Sequence, residues 1–64
     1  MESPNVRNRL VDEVHGVTYD VMAYRLLTRA ELLDAVRVFC ASRRGKPKRG
    51  ALVTIVSTIG HADA

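Results

Sequence analysis

The sequence predicts a small single-domain α+β protein with the element order ββαβ, in which a three-stranded sheet carries one helix packed on one face. A segment with helical periodicity, residues 28–45, lies between two segments rich in β-branched residues, 17–25 and 51–60. The 64 residues suffice for one domain with one small core. We therefore predict one domain over residues 1–64, with 1–8 and 61–64 as loose ends.

The helix has clear start and stop signals. Thr28 and Glu31 have the spacing of a capping box, in which each side chain accepts a hydrogen bond from the backbone amide of the other residue. Gly45 is placed to end the helix in the left-handed conformation, and Pro47 cannot continue it. The predicted helix runs from residue 29 to about residue 43. Its apolar residues recur at helical spacing along one face: Leu32, Leu33, Val36, Phe39 and Cys40.

Strands are predicted on both sides of the helix. The segment VTYDVMAYR begins at Val17, and ALVTIVSTIG runs from Ala51 to Gly60. Alternation along the second segment puts Leu52, Thr54, Val56 and Thr58 on one face, with Val53, Ile55, Ser57 and Ile59 on the other. Neither face is clearly polar, which is typical of a strand inside a sheet that is covered on both faces.

The first sixteen residues fit two structures. Residues 9–14 can form a strand that turns at His15 and Gly16 into the strand that follows. Alternatively, residues 4–15 form a helix, which would give an αβαβ protein. We favour the hairpin, because a sheet of only two parallel strands is poorly stabilised and a third strand is the usual remedy.

The open face of the sheet predicts a homodimer. One helix covers one face, and the other face is expected to carry apolar residues from both well-marked strands. The chain has a single cysteine, Cys40, and neither His15 nor His61 has zinc-ligand spacing to it, so we expect no disulfide, metal or cofactor. A partner chain is the remaining way to stabilise so small a domain. The residues predicted at the dimer interface are Leu52, Thr54, Ile55 and Val56.

Half of the basic residues lie in one segment, RRGKPKRG, residues 43–50. It carries a charge of +5 while the whole chain has a net charge of +3, so the remaining residues sum to −2. Such a segment can contact the phosphates of a nucleic acid. The segment can also have a purely structural role. Two of its cations would then stabilise the C-terminal end of the helix, and the other three would keep the following apolar strand from aggregating. The candidate phosphate contacts are Arg43, Arg44, Lys46, Lys48 and Arg49.

No catalytic site is predicted. Cys40 lies on the apolar face near the helix C-terminus, which is typical of a core thiol, and His15 has no nucleophile at a recognisable spacing. The chain begins without a signal-peptide pattern and has no apolar run of about 20 residues, so we expect a cytoplasmic protein that does not contact membranes. The favoured function is a dimeric protein-interaction or assembly module. The alternative is a nucleic-acid-binding protein that uses residues 43–50.

Overall fold

A computed structural model describes residues 3–61. Its elements are β1 (Val6–Asp12), β2 (Val17–Ala23), α1 (Arg29–Ser42) and β3 (Leu52–Val56). The sheet has the order β1-β2-β3, in which β1 is antiparallel and β3 is parallel to β2. The predicted ββαβ fold is thus confirmed.

The favoured N-terminal hairpin is confirmed, and the alternative αβαβ structure is wrong. Residues 4–15 contain no helix, because Val6–Asp12 pairs with β2 along its whole length. The prediction that residues 1–8 are loose fails for 6–8, since these are the first three residues of β1. Residues 62–64 of the predicted loose tail lie outside the described part of the chain.

The β1–β2 hairpin closes through the turn at residues 13–16. The Asp12 carboxylate accepts a hydrogen bond of 3.1 Å from the His15 backbone amide and lies 2.9 Å from His15 Nδ1. Gly16 has φ +67°, and a Cβ atom there would lie 2.8 Å from Cγ of Arg49. The positive φ therefore favours glycine at this position, and the Arg49 side chain would have to move to admit a Cβ atom.

The core lies between α1 and the central strand. The β2 side chains that face α1 are fully buried, and Leu10 of β1 and Val36 of α1 complete the buried apolar set. The four from β2 are Val17, Tyr19, Val21 and Ala23. Because one helix is narrower than three strands, a groove remains on each side of α1, one towards the hairpin and one towards β3.

A buried asparagine connects β1 to the loop between β2 and α1. Asn8 is only 5% exposed. Its Nδ2 donates to the carbonyl oxygens of Val6, Val21 and Arg25 at 3.1–3.3 Å, and its Oδ1 accepts from the Leu27 amide at 2.8 Å. The Asn8 side chain thus connects β1 to the loop that leads into α1.

The helix begins as predicted and ends differently. The Thr28 hydroxyl accepts from the Glu31 amide at 3.2 Å, and the Glu31 carboxylate accepts from the Thr28 amide at 2.9 Å, which confirms the capping box. At the other end Arg44, with φ +59°, takes the left-handed position that was predicted for Gly45. The helix ends at Ser42, one residue earlier than predicted. The residue that takes the left-handed conformation after the helix is therefore Arg44 and not Gly45.

Glu31 is also held by an arginine. The Arg25 guanidinium donates to both carboxylate oxygens at 2.9 and 2.8 Å. This pair, helped by the Thr28 amide, lowers the pKa of Glu31 from 4.5 to about 2. The contact therefore favours the ionised carboxylate in the folded protein.

We expect stability to fall as the pH drops from about 4.5 towards 2. The unfolded chain binds a proton at Glu31 near pH 4.5 while the folded chain does not, so the stabilisation is complete above that pH and is lost on approach to the folded pKa of about 2. Urea unfolding across this range should show that the free energy of unfolding depends less on pH in Glu31→Gln than in the parent protein. The control, Glu13→Gln in the exposed turn, should keep the slope of the parent. Equal slopes for all three proteins would contradict the assignment.

Candidate functional site

The two edge strands of the sheet differ in charge. β1 carries Arg7, Arg9 and Asp12, whereas none of the residues 50–60, which include β3, is charged. Natural proteins usually protect a free sheet edge with charges, proline or a bulge, because an unprotected edge pairs with other strands. β1 therefore has the composition of a protected edge, and β3 does not.

The open face of the sheet, on the side away from α1, is polar towards β1. Arg9 donates two hydrogen bonds to Asp20 at 2.9 and 3.2 Å, and Arg7 Nε lies 3.9 Å from the same carboxylate. Arg9 thereby lowers the pKa of Asp20. The prediction that both well-marked strands place apolar residues on this face holds for Met22 of β2, which pairs with Val56, but Thr18 and Asp20 make the β2 part of the face mainly polar.

The open face is apolar along β3. Leu52 and Val56 are 63% and 70% exposed, with the exposed Thr54 between them. Three of the four residues predicted at a dimer interface thus share one surface. The fourth, Ile55, lies on the opposite face of β3, where it packs partly buried against the core.

The other face of β3 also borders exposed apolar surface. The groove between α1 and β3 has a volume of about 370 Å³ and is lined in part by Val38, Phe39, Ile55 and Ile59. Val38 of α1 is apolar, yet 60% of its surface is exposed. Apolar side chains therefore flank the edge of β3 above and below the sheet.

The backbone amides and carbonyls of β3 point alternately towards β2 and away from the sheet. The Thr18 amide donates to the Ala51 carbonyl at 3.0 Å, and the Ser57 amide donates to the Met22 carbonyl at 2.8 Å. Since backbone groups of successive strand residues point to opposite sides, the odd-numbered residues of 51–57 face β2. The amides and carbonyls of Leu52, Thr54 and Val56 point away from β2 and form the outer edge.

The basic segment is divided among several local contacts. The Arg43 guanidinium lies 5.4 Å from the centre of the Phe39 ring. Arg49 donates to the Val14 carbonyl at 2.9 Å, and Lys46 lines the groove between α1 and the hairpin. Arg44 and Lys48 are exposed. Arg43 and Arg49 thus have structural contacts that account for them without a ligand.

The groove between α1 and the hairpin is larger, about 630 Å³, and has charged walls. Asp12 and Glu13 lie on the hairpin side, and Arg29, Arg37 and Lys46 on the other. Its floor includes Tyr19, whose hydroxyl lies 3.7 Å from Sγ of Cys40. Burial, with the Cys40 contact, raises the pKa of Tyr19 to about 12.

Over residues 3–61, no three His, Cys, Asp or Glu side chains are grouped closely enough to hold a metal ion. Over the same residues, no helix has the length and apolarity required to cross a bilayer. Comparisons with protein-family models, with curated proteins and with solved structures find no match to this chain.

Proposed function

We propose that the protein acts by binding, as a homodimeric protein-interaction module whose binding surface is the outer edge of β3. The observation that carries this proposal is that β3 is an uncharged edge strand with exposed apolar side chains on its open face and an apolar groove on the other. An edge of this composition is suited to pairing with another strand.

Pairing of two β3 edges would cover part of this apolar surface. Leu52 and Val56 are each more than half exposed, and each would gain an apolar cross-strand neighbour from the second copy. Such a cross-strand pair contributes roughly 0.2–1 kcal/mol. The backbone hydrogen bonds of the new strand pair add to this contribution.

The nucleic-acid hypothesis has less support. It requires several cations of the segment 43–50 to be available to phosphates, and Arg43 and Arg49 are already engaged within the chain. Binding through residues 43–50 therefore stays a prediction from the sequence, as does the cytoplasmic location.

Sedimentation equilibrium of the whole chain at micromolar concentration tests the proposal. The expected species has twice the chain mass of 7.1 kDa. A species of 7.1 kDa at every concentration would reject self-association.

A further inference from the structure

We infer that the second copy adds its β3 antiparallel to this β3, in the register that places Thr54 opposite the partner's Thr54, so that two three-stranded sheets become one six-stranded sheet. This inference rests on the proposed homodimer and specifies its geometry. The order across the dimer would be β1-β2-β3 followed by the partner's β3-β2-β1.

Symmetry and the backbone restrict the pairing. A two-fold dimer uses the same surface on both copies, and two identical strand edges related by a two-fold axis perpendicular to the sheet run antiparallel. Residues that exchange both hydrogen bonds in an antiparallel ladder must direct their amides and carbonyls at each other. On β3 those residues are Leu52, Thr54 and Val56, because the odd-numbered residues face β2.

Side-chain matching selects one register. With Thr54 at the two-fold axis, Leu52 lies opposite the partner's Val56, and Val53 lies opposite the partner's Ile55. Apolar residues then meet apolar residues on both faces, and the two threonines form a favourable cross-strand pair. A shift of the partner by two residues in one direction puts Leu52 opposite a threonine and Val56 opposite Gly50, and in the other direction it puts both Leu52 and Val56 opposite threonines. The register centred on Thr54 is therefore the self-complementary one.

The same arrangement places the exposed Val38 of α1 near the two-fold axis. The two helices would flank the two-fold axis on one side of the joined sheet. If each lies over its own β2, three strand spacings separate them, about 14 Å. That separation exceeds the roughly 8–10 Å of helices in direct contact. Val38 and Phe39 from both copies line this gap, which joins the two β3 grooves into one space whose lining also includes Asp34.

Cysteine cross-linking tests the register. In a Cys40→Ala background, Thr54→Cys should oxidise to a covalent dimer, because residues of a hydrogen-bonded pair have Cα atoms about 5.5 Å apart, within the roughly 4.4–6.8 Å range of disulfides. Leu52→Cys alone should stay monomeric on a denaturing gel, since its own copy lies about four residues further along the partner strand, roughly 13 Å away. A mixture of Leu52→Cys chains with Val56→Cys chains should cross-link.

The outcomes separate the register from the dimer itself. A dimer in sedimentation that cross-links through Val11→Cys on β1 but not through Thr54→Cys would overturn this inference and leave the proposed homodimer in place. A monomer in sedimentation would reject both. Amide hydrogen exchange of the unmodified chain gives a second measurement that needs no cysteine. The amides of Leu52, Thr54 and Val56 should be protected at high concentration and lose that protection on dilution, and fast exchange at every concentration would contradict the strand pairing.

Discussion

Thr54→Pro is expected to sediment as a monomer that keeps the parental fold. Proline lacks the backbone amide hydrogen, and on a central strand it would remove a ladder hydrogen bond. The Thr54 amide points away from β2, so the pairing between β2 and β3 loses nothing, and edge positions of this kind tolerate proline. In the dimer, however, two carbonyl groups at the two-fold axis lose their donors. At about 1–3 kcal/mol each, this raises the Kd by roughly 30-fold or more.

A conservative replacement at the same position is the control. Thr54→Val keeps the backbone amide and the β-branched shape of threonine, so we expect it to stay dimeric. Circular dichroism should show the parental secondary structure for both variants, which separates loss of association from loss of folding. A Thr54→Pro variant that associates as tightly as the parent would exclude the β3 edge from the interface.

Asn8→Ala is expected to cause the largest loss of stability. The substitution removes the acceptor of the Leu27 amide and the two amide hydrogens that three backbone carbonyls share, and the Asn8 side chain is buried. Leaving buried polar groups without partners costs about 1–3 kcal/mol each, so a total loss of roughly 2–4 kcal/mol is expected. In a domain of this size each kcal/mol lowers the Tm by about 4–8 °C. Thermal unfolding at a fixed protein concentration measures the effect.

Two further variants test the origin of that loss. Asn5→Ala makes the same chemical change at an exposed position just before β1 and should stay within about 0.5 kcal/mol of the parent. Asn8→Asp keeps an acceptor for Leu27 but places an oxygen against the carbonyls that the amide nitrogen now contacts, and it should be destabilising at neutral pH. If Asn8→Ala unfolded like Asn5→Ala, the hydrogen bonds of Asn8 would contribute little.

Local signals predicted α1 and the strands on either side of it, but not β1. The Thr28 and Glu31 pair marked the start of α1, whereas the first sixteen residues fitted either a hairpin or a helix, and the need for a third strand decided between them. The end of α1 was harder, because whether Arg44 or Gly45 takes the left-handed conformation depends on a difference of one residue in helix length. Helix fraying makes such a difference difficult to read from a sequence.

Long-range contacts were not predictable from the pattern alone. Arg49 binds the carbonyl of Val14, which is 35 residues earlier in the chain, so its role could not be separated from that of its basic neighbours. The burial of Asn8 could have been predicted from the sequence. Asn8 alternates with Val6 and Leu10, so it lies on the apolar face of β1. Strand alternation alone also places Ile55 on the face opposite Leu52 and Val56.

Sedimentation equilibrium of the unmodified chain tests the central claim most directly. The proposed interface predicts a species of twice 7.1 kDa at micromolar concentration that dissociates on dilution. Because no charged residue lies on β3, this association should change little between low and high salt. A chain that remains at 7.1 kDa throughout the concentration range, at either salt concentration, would contradict the account.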